Sequence, residues 1–188
     1  PLMNVYNEET LSHLAGRGAT HVSLPVELPG ASAAVIGRRA AELGVGVEVQ
    51  VFGRASLAVS ARCYHARAHG RVKDNCQFVC EEDPDGMPLK TLAGQSFLAV
   101  NGIQTLSHSY VDLLSDVGGL IGMGVTNLRL SPHTRDMVAV ARIFRDVADG
   151  VTAVAEGEAR LRALDPEIAY ANGFWHGQAG HKFVGARI

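Results

Sequence analysis

The chain has 188 residues, 47% hydrophobic and 19% charged, with a formal net charge of −2. Apolar content this high with so little net charge excludes intrinsic disorder. The near balance of 17 Lys+Arg against 19 Asp+Glu excludes a bulk basic field for nucleic acid. Three cysteines are an odd number and too few for a disulfide scaffold, which leaves thiol or metal chemistry. No apolar run approaches the roughly 20 residues of a bilayer span, and no basic-then-apolar leader opens the sequence. The opening at Pro1 suits a processed protein or a fragment.

In chain order, strand-like runs rich in Val and Leu fall at Leu2–Tyr6, His21–Val26, Val45–Phe52, Phe97–Asn101 and Leu128–Leu130. Helical patterns alternate with them. Asn7–Gly18 opens on an Asn cap with Glu8 and Glu9 in its first turn. Ser32–Gly44 ends on a glycine. Tyr110–Gly124 starts after Ser107 or Ser109, Arg135–Ala148 carries an apolar stripe, and Val151–Leu164 is halted by Asp165-Pro166.

An internal echo supports this alternation. Leu14–Pro25 and Leu120–Pro132 both read as a helix end, a glycine (Gly18, Gly124), a Thr, then an apolar strand closed by proline, and Glu42–Val47 is a looser third copy. Repeated helix–Gly–strand units predict an α/β fold of parallel (β/α) units. The strands are fewer than the eight of a closed (β/α) barrel, so the expectation is a partial barrel or an open sheet. The rhythm breaks at residues 54–91, which read as a cysteine-bearing insertion directly after a barrel strand, at the end where parallel α/β proteins carry function.

All three cysteines, Cys63, Cys76 and Cys80, lie in that insertion with the spacing C-x12-C-x3-C. Clustered soft thiolates suit iron–sulfur clusters or zinc; three incidental buried thiols is the competing reading. Arg62, His65, Arg67, His69, Arg71 and Lys73 interleave them, a basic flank that offsets the negative charge of a thiolate-bound metal. A complete four-ligand site needs one more donor, from a histidine such as His65 or His69 or from elsewhere; the bland reading of those two histidines is solvation on a helix.

The stretch Glu48–Tyr64, with its strand, its Gly53 turn and Ser60-Ala61-Arg62-Cys63, resembles the signature of the U32 peptidase family. The continuation His65–Cys80, then Asp83-Pro84-Asp85-Gly86 and Asn101–His108, is similar to the branch of that family serving oxygen-independent ubiquinone biosynthesis. The resemblance implies a TIM-like barrel of which residues 1–188 are the C-terminal two thirds. It implies a [4Fe–4S] cluster on Cys63, Cys76 and Cys80, with a fourth cysteine preceding this sequence. It further implies a cytoplasmic location, a heterodimer with a UbiU-like protein, and a lipid-carrier protein presenting the quinone precursor for ring hydroxylation without O₂. Ser56 stands where the UbiU-like sister carries a cysteine.

Several polar residues fall at strand C-termini, where they would line a pocket: Glu27, Arg54, Asn101, Gln104 and His133. Ordinary loop polarity and capping compete with that reading. His13, His21 and His108 read as structural or solvated, and Trp175 as core packing. The alternative function is a U32 peptidase-like protein with a proteolytic or zinc-stabilised role. It lacks support in sequence: there is no Gly-x-Ser-x-Gly elbow and no His-Glu-x-x-His, and three clustered cysteines suit ligands better than a single nucleophile. The catalytic residues stay unassigned.

Overall fold

The computed structural model describes residues 2–185. It is a mixed α/β structure around an open seven-stranded sheet, partly parallel. In chain order the elements are α1 (Glu8–Ala15), β1 (His21–Ser23), α2 (Gly30–Leu43), β2 (Gly46–Val59), α3 (Tyr64–Ala68), β3 (Met87–Lys90), β4 (Ser96–Asn101), β5 (Gln104–Asp112), α4 (Val117–Gly122), β6 (Asn127–Leu130), α5 (Met137–Ala148), α6 (Val154–Leu164) and β7 (Tyr170–Ala171). No described helix is long and apolar enough to cross a membrane.

Strand β2 organises the fold because its two halves belong to different environments. Its first half pairs in parallel with β1 (His21↔Gly46) and with β6 (Glu48↔Asn127). Here Val47, Val49 and Val51 are buried, as expected for a parallel strand covered by helices. Its second half pairs antiparallel with β5 (Phe52↔Asp112), and β5, β4 and β3 continue as a meander. The change of partner occurs at Gly53. Its φ of +94 is open to glycine, and a Cβ there would stand 2.5 Å from the Ser131 carbonyl oxygen. Bulges at Arg54/Ser56 and Ser56/Ala58 then bend the strand away from the helical layer.

The helix–Gly–strand echo is real structure. Each of the three units delivers a strand to the parallel part of the sheet: α1 to β1, α2 to β2 and α4 to β6. Asn7 caps α1, its side chain accepting from Thr10 N at 2.8 Å. Gly44 closes α2 in the left-handed conformation. The main core joins Leu11, Ile36, Val47, Phe52, Leu114, Phe144 and Leu161 across these elements.

Two expected elements differ. Leu2–Tyr6 is not a strand: Asn4 takes φ 53, and only Val5 of the stretch is buried. Its backbone finds no sheet partner, while the Tyr6 hydroxyl donates to Glu27. The helix expected from Tyr110 begins only at Val117, because residues through Asp112 belong to β5. Paired on one side with β2 and on the other with β4 and β7, that segment gains ladder bonds that outweigh the capping signal of its serines. The sheet is therefore not parallel throughout.

Candidate functional site

The C-terminal ends of β1, β2 and β6 open onto a cleft of about 690 Å³. Glu27, Arg54, Asn101, Gln104 and His133, singled out by their position after strands, all line it. The structure adds Gln50, Asp85 and Arg129 to the same wall.

The floor is a polar chain built around the buried Gln50. Gln50 and Arg129 are register partners on β2 and β6. Arg129 Nη2 donates to Gln50 Oε1 at 2.7 Å, and Gln50 Nε2 donates to the Arg54 carbonyl at 2.9 Å. Gln50 is thereby satisfied although only 3% exposed, and it fixes the bulged backbone that aims Arg54. The Arg54 guanidinium lies 4.8 Å over the Tyr110 ring and donates to the Ser107 and His108 carbonyls. The Arg54 Nε is buried without a hydrogen-bond partner, while the Arg129 Nε faces Glu48 Oε1 at 3.8 Å.

His133 packs its ring 4.6 Å from Tyr110 and 5.4 Å from Phe52, and neither ring nitrogen has a hydrogen-bond partner. Burial lowers its pKa, with Arg135 and Arg54 acting in the same sense and Asp85 opposing. A neutral imidazole results, offering one N–H and one lone pair. Burial works to raise Asp85, but hydrogen bonds from Thr134 N and Oγ1, aided by Arg135, outweigh it and hold the carboxyl below its usual range. The unpaired Arg54 Nε–H beside a neutral imidazole suits an oxygen-bearing ligand.

The cysteine segment runs between β2 and β3, within the bounds 54–91. Cys63 caps α3, its sulfur accepting from Ala66 N at 3.3 Å, and Cys76 Sγ accepts from Phe78 N at 3.4 Å. Both pack with Ala66 and Val79 in a small core of their own. Gln77 and Phe78 both take positive φ, 50 and 53, a strained conformation that recurs at ligand clamps. All three thiols are free, Cys63 buried and Cys76 and Cys80 half-buried.

Free thiols, two of them accepting backbone N–H groups, are the donor type an iron–sulfur cluster uses. The count is three of the four that such a cluster takes, and the three sulfurs are not gathered around one point as for a single ion. The described residues that do gather are His65, His69 and Asp83. His65 is fully buried rather than solvated.

The cysteine segment meets the cleft through one turn. Pro84 and Asp85 line the cleft, and Asn101 Nδ2 donates to the Pro84 carbonyl at 3.2 Å. His13 lies on α1, His21 opens β1, and His108 is in β5 rather than at a helix start. Trp175 packs against the core as expected. Gln50 and Arg129 had one sequence signal: Glu48 and Gln50 place polar side chains at alternate positions of an otherwise apolar strand. Among the described residues no Ser or Cys side chain is hydrogen-bonded to a histidine ring, the pairing a nucleophilic hydrolase uses. No solved structure matches the chain. Peptidase family U32 matches it over residues 1–183, and the chain belongs to that family.

Proposed function

We propose that this family member is a UbiV-like iron–sulfur component of an oxygen-independent system hydroxylating the ring of a ubiquinone precursor. It acts with a UbiU-like partner and a lipid-carrier protein that presents the precursor. The observation that carries the reading is the free-thiol segment of Cys63, Cys76 and Cys80, with N–H groups on two of its sulfurs, joined by the 83–86 turn to a polar cleft.

When bound, a [4Fe–4S] cluster supplies one-electron redox chemistry. Cys63, Cys76 and Cys80 would hold it, with the fourth ligand outside this sequence. The chain's own residues provide the surroundings. Arg54 offers an N–H group to a ring oxygen, Gln50 bonds both the Arg54 backbone and Arg129, and the neutral His133 accepts or returns a proton at a ring nitrogen.

The test is anaerobic reconstitution with ferrous iron and sulfide, read by iron and sulfide content, visible absorption and electron paramagnetic resonance. Charge-transfer absorption that falls sharply in each of Cys63→Ala, Cys76→Ala and Cys80→Ala supports the reading. Full iron retention in all three variants overturns the ligand set. Iron-independent cleavage of a peptide substrate would favour the peptidase alternative.

A further inference from the structure

His65 and His69 stand four residues apart, at the start and the C-cap of α3, and so share one helix face. Their rings stack with centroids 5.3 Å apart and planes within 15°. Nδ1 of His65 lies 3.1 Å from the Val100 carbonyl, the shorter of its two backbone contacts, and the Gly102 N–H approaches it at 3.5 Å. Its Nε2 faces Asp83 Oδ2 at 2.9 Å. The same carboxylate oxygen lies 3.5 Å from His69 Nε2, while His69 Nδ1 turns toward Glu82 Oε2 at 3.7 Å. Two imidazole nitrogens and a carboxylate oxygen thus converge, one atom of each residue within 4.8 Å of the others. No cysteine sulfur belongs to the group. Imidazole nitrogens and a carboxylate oxygen at these distances share either a proton or a metal ion.

We propose that His65, His69 and Asp83 form a binding site for a divalent transition-metal ion of zinc's class, distinct from the cysteine set. The donor set is nitrogen and oxygen, which zinc, cobalt and nickel accept and which calcium and magnesium, with their oxygen ligands, do not. A carbonyl behind one imidazole and a carboxylate behind the other are the outer partners that orient metal-bound histidines. Three protein ligands leave one position of a tetrahedral ion open. That position faces solvent, because the side chains of His69 and Asp83 are 30% and 29% exposed whereas His65 is fully enclosed. The ion ties α3, which begins after Cys63, to the turn that follows Cys80.

The proposal is independent of the iron–sulfur reading, and its test keeps the two apart. The full chain carrying Cys63→Ser, Cys76→Ser and Cys80→Ser is titrated with Co²⁺, and the native chain, alkylated at its thiols after folding, is titrated in parallel. The expected result in either is uptake of one equivalent, with visible ligand-field bands and no thiolate charge-transfer band. His69→Ala and Asp83→Asn, both at partly exposed positions, are each expected to weaken uptake about tenfold or more, with circular dichroism confirming the fold. Absence of uptake in both preparations, or uptake indifferent to both substitutions, overturns the site. So does nitrogen NMR of the metal-treated chain showing His65 protonated on both nitrogens, since a proton then bridges the pair. Loss of iron rather than cobalt on His69→Ala would make His69 a cluster ligand and overturn the separation.

Discussion

Asp83 and Asp85, separated only by Pro84, are bound to different parts of the molecule: Asp83 Oδ2 lies 2.9 Å from His65 Nε2 beside the cysteine segment, and Asp85 Oδ1 accepts from Thr134 N at 2.7 Å beside the cleft. The proline between them limits the conformations available to the turn. The turn thus fastens helix α3 on one side and the loop that carries His133 on the other.

Replacing Asp85 tests that connection. Asp85→Ala removes both acceptors for Thr134 and is expected to cost about 1 kcal/mol at neutral pH, a modest figure because the site is partly solvated. The carboxyl is held below its usual range, so its contribution is complete above the unfolded carboxylate pKa and is lost as pH falls through the folded value. Urea unfolding midpoints of wild type and variant should differ at pH 7 and draw together as the pH falls below the ordinary carboxylate range. Equal midpoints at pH 7 would show that the turn does not depend on Thr134.

Helix α2 passes so close to the end of α4 that its glycine is required. A Cβ on Gly37 would stand 2.2 Å from the Met123 carbonyl oxygen, a backbone atom that cannot swing away. Gly37→Ala gains about 1 kcal/mol of helix propensity and meets an overpacking cost of about 1–3 kcal/mol, at its upper end here because the contact is with backbone. A net loss of about 2 kcal/mol is expected. Gly118→Ala is the control: nothing lies within 4 Å of its Cβ and its φ is not positive, so it should stabilise the helix. Thermal melts that move both variants in the same direction would contradict this account.

The parts legible in the sequence were those written in local pattern. Gly18, Gly44 and Gly124 each marked a helix end before a parallel strand, and the polar residues after strands converged on one cleft. What was hidden depends on partners distant in sequence. Residues 107–112 read as the start of a helix because Ser107 and Ser109 resemble caps, and only the strands on either side make them part of β5. Gln50 appears as one polar residue in an apolar run until Arg129, 79 positions later, is seen to donate to it. His65 read as solvated beside basic neighbours, yet the β4 carbonyl of Val100 and Asp83 enclose it.

Asp112 gives the fold a pH dependence of definite sign. It ends β5 almost fully buried, its Oδ1 accepting from Leu114 N at 3.1 Å and its Oδ2 3.6 Å from Arg162 Nη2. Burial raises its pKa to about 6, against the opposing influence of the Leu114 hydrogen bond and Arg162. Between the unfolded value near 4 and the folded value, the native state binds the extra proton, so stability falls as pH rises through that window. A difference of about 2 pH units corresponds to about 2–3 kcal/mol. Asp112→Asn copies the protonated acid and keeps an acceptor for Leu114 N, while Arg162 remains stacked 4.8 Å over Tyr170. The variant is expected to match wild type near pH 4 and to exceed it at pH 7, with the slope between pH 4 and pH 6 flattened. Denaturant unfolding across that range reads the effect directly. A variant less stable than wild type at pH 7 would mean that the Arg162 ion pair outweighs the burial of the charge.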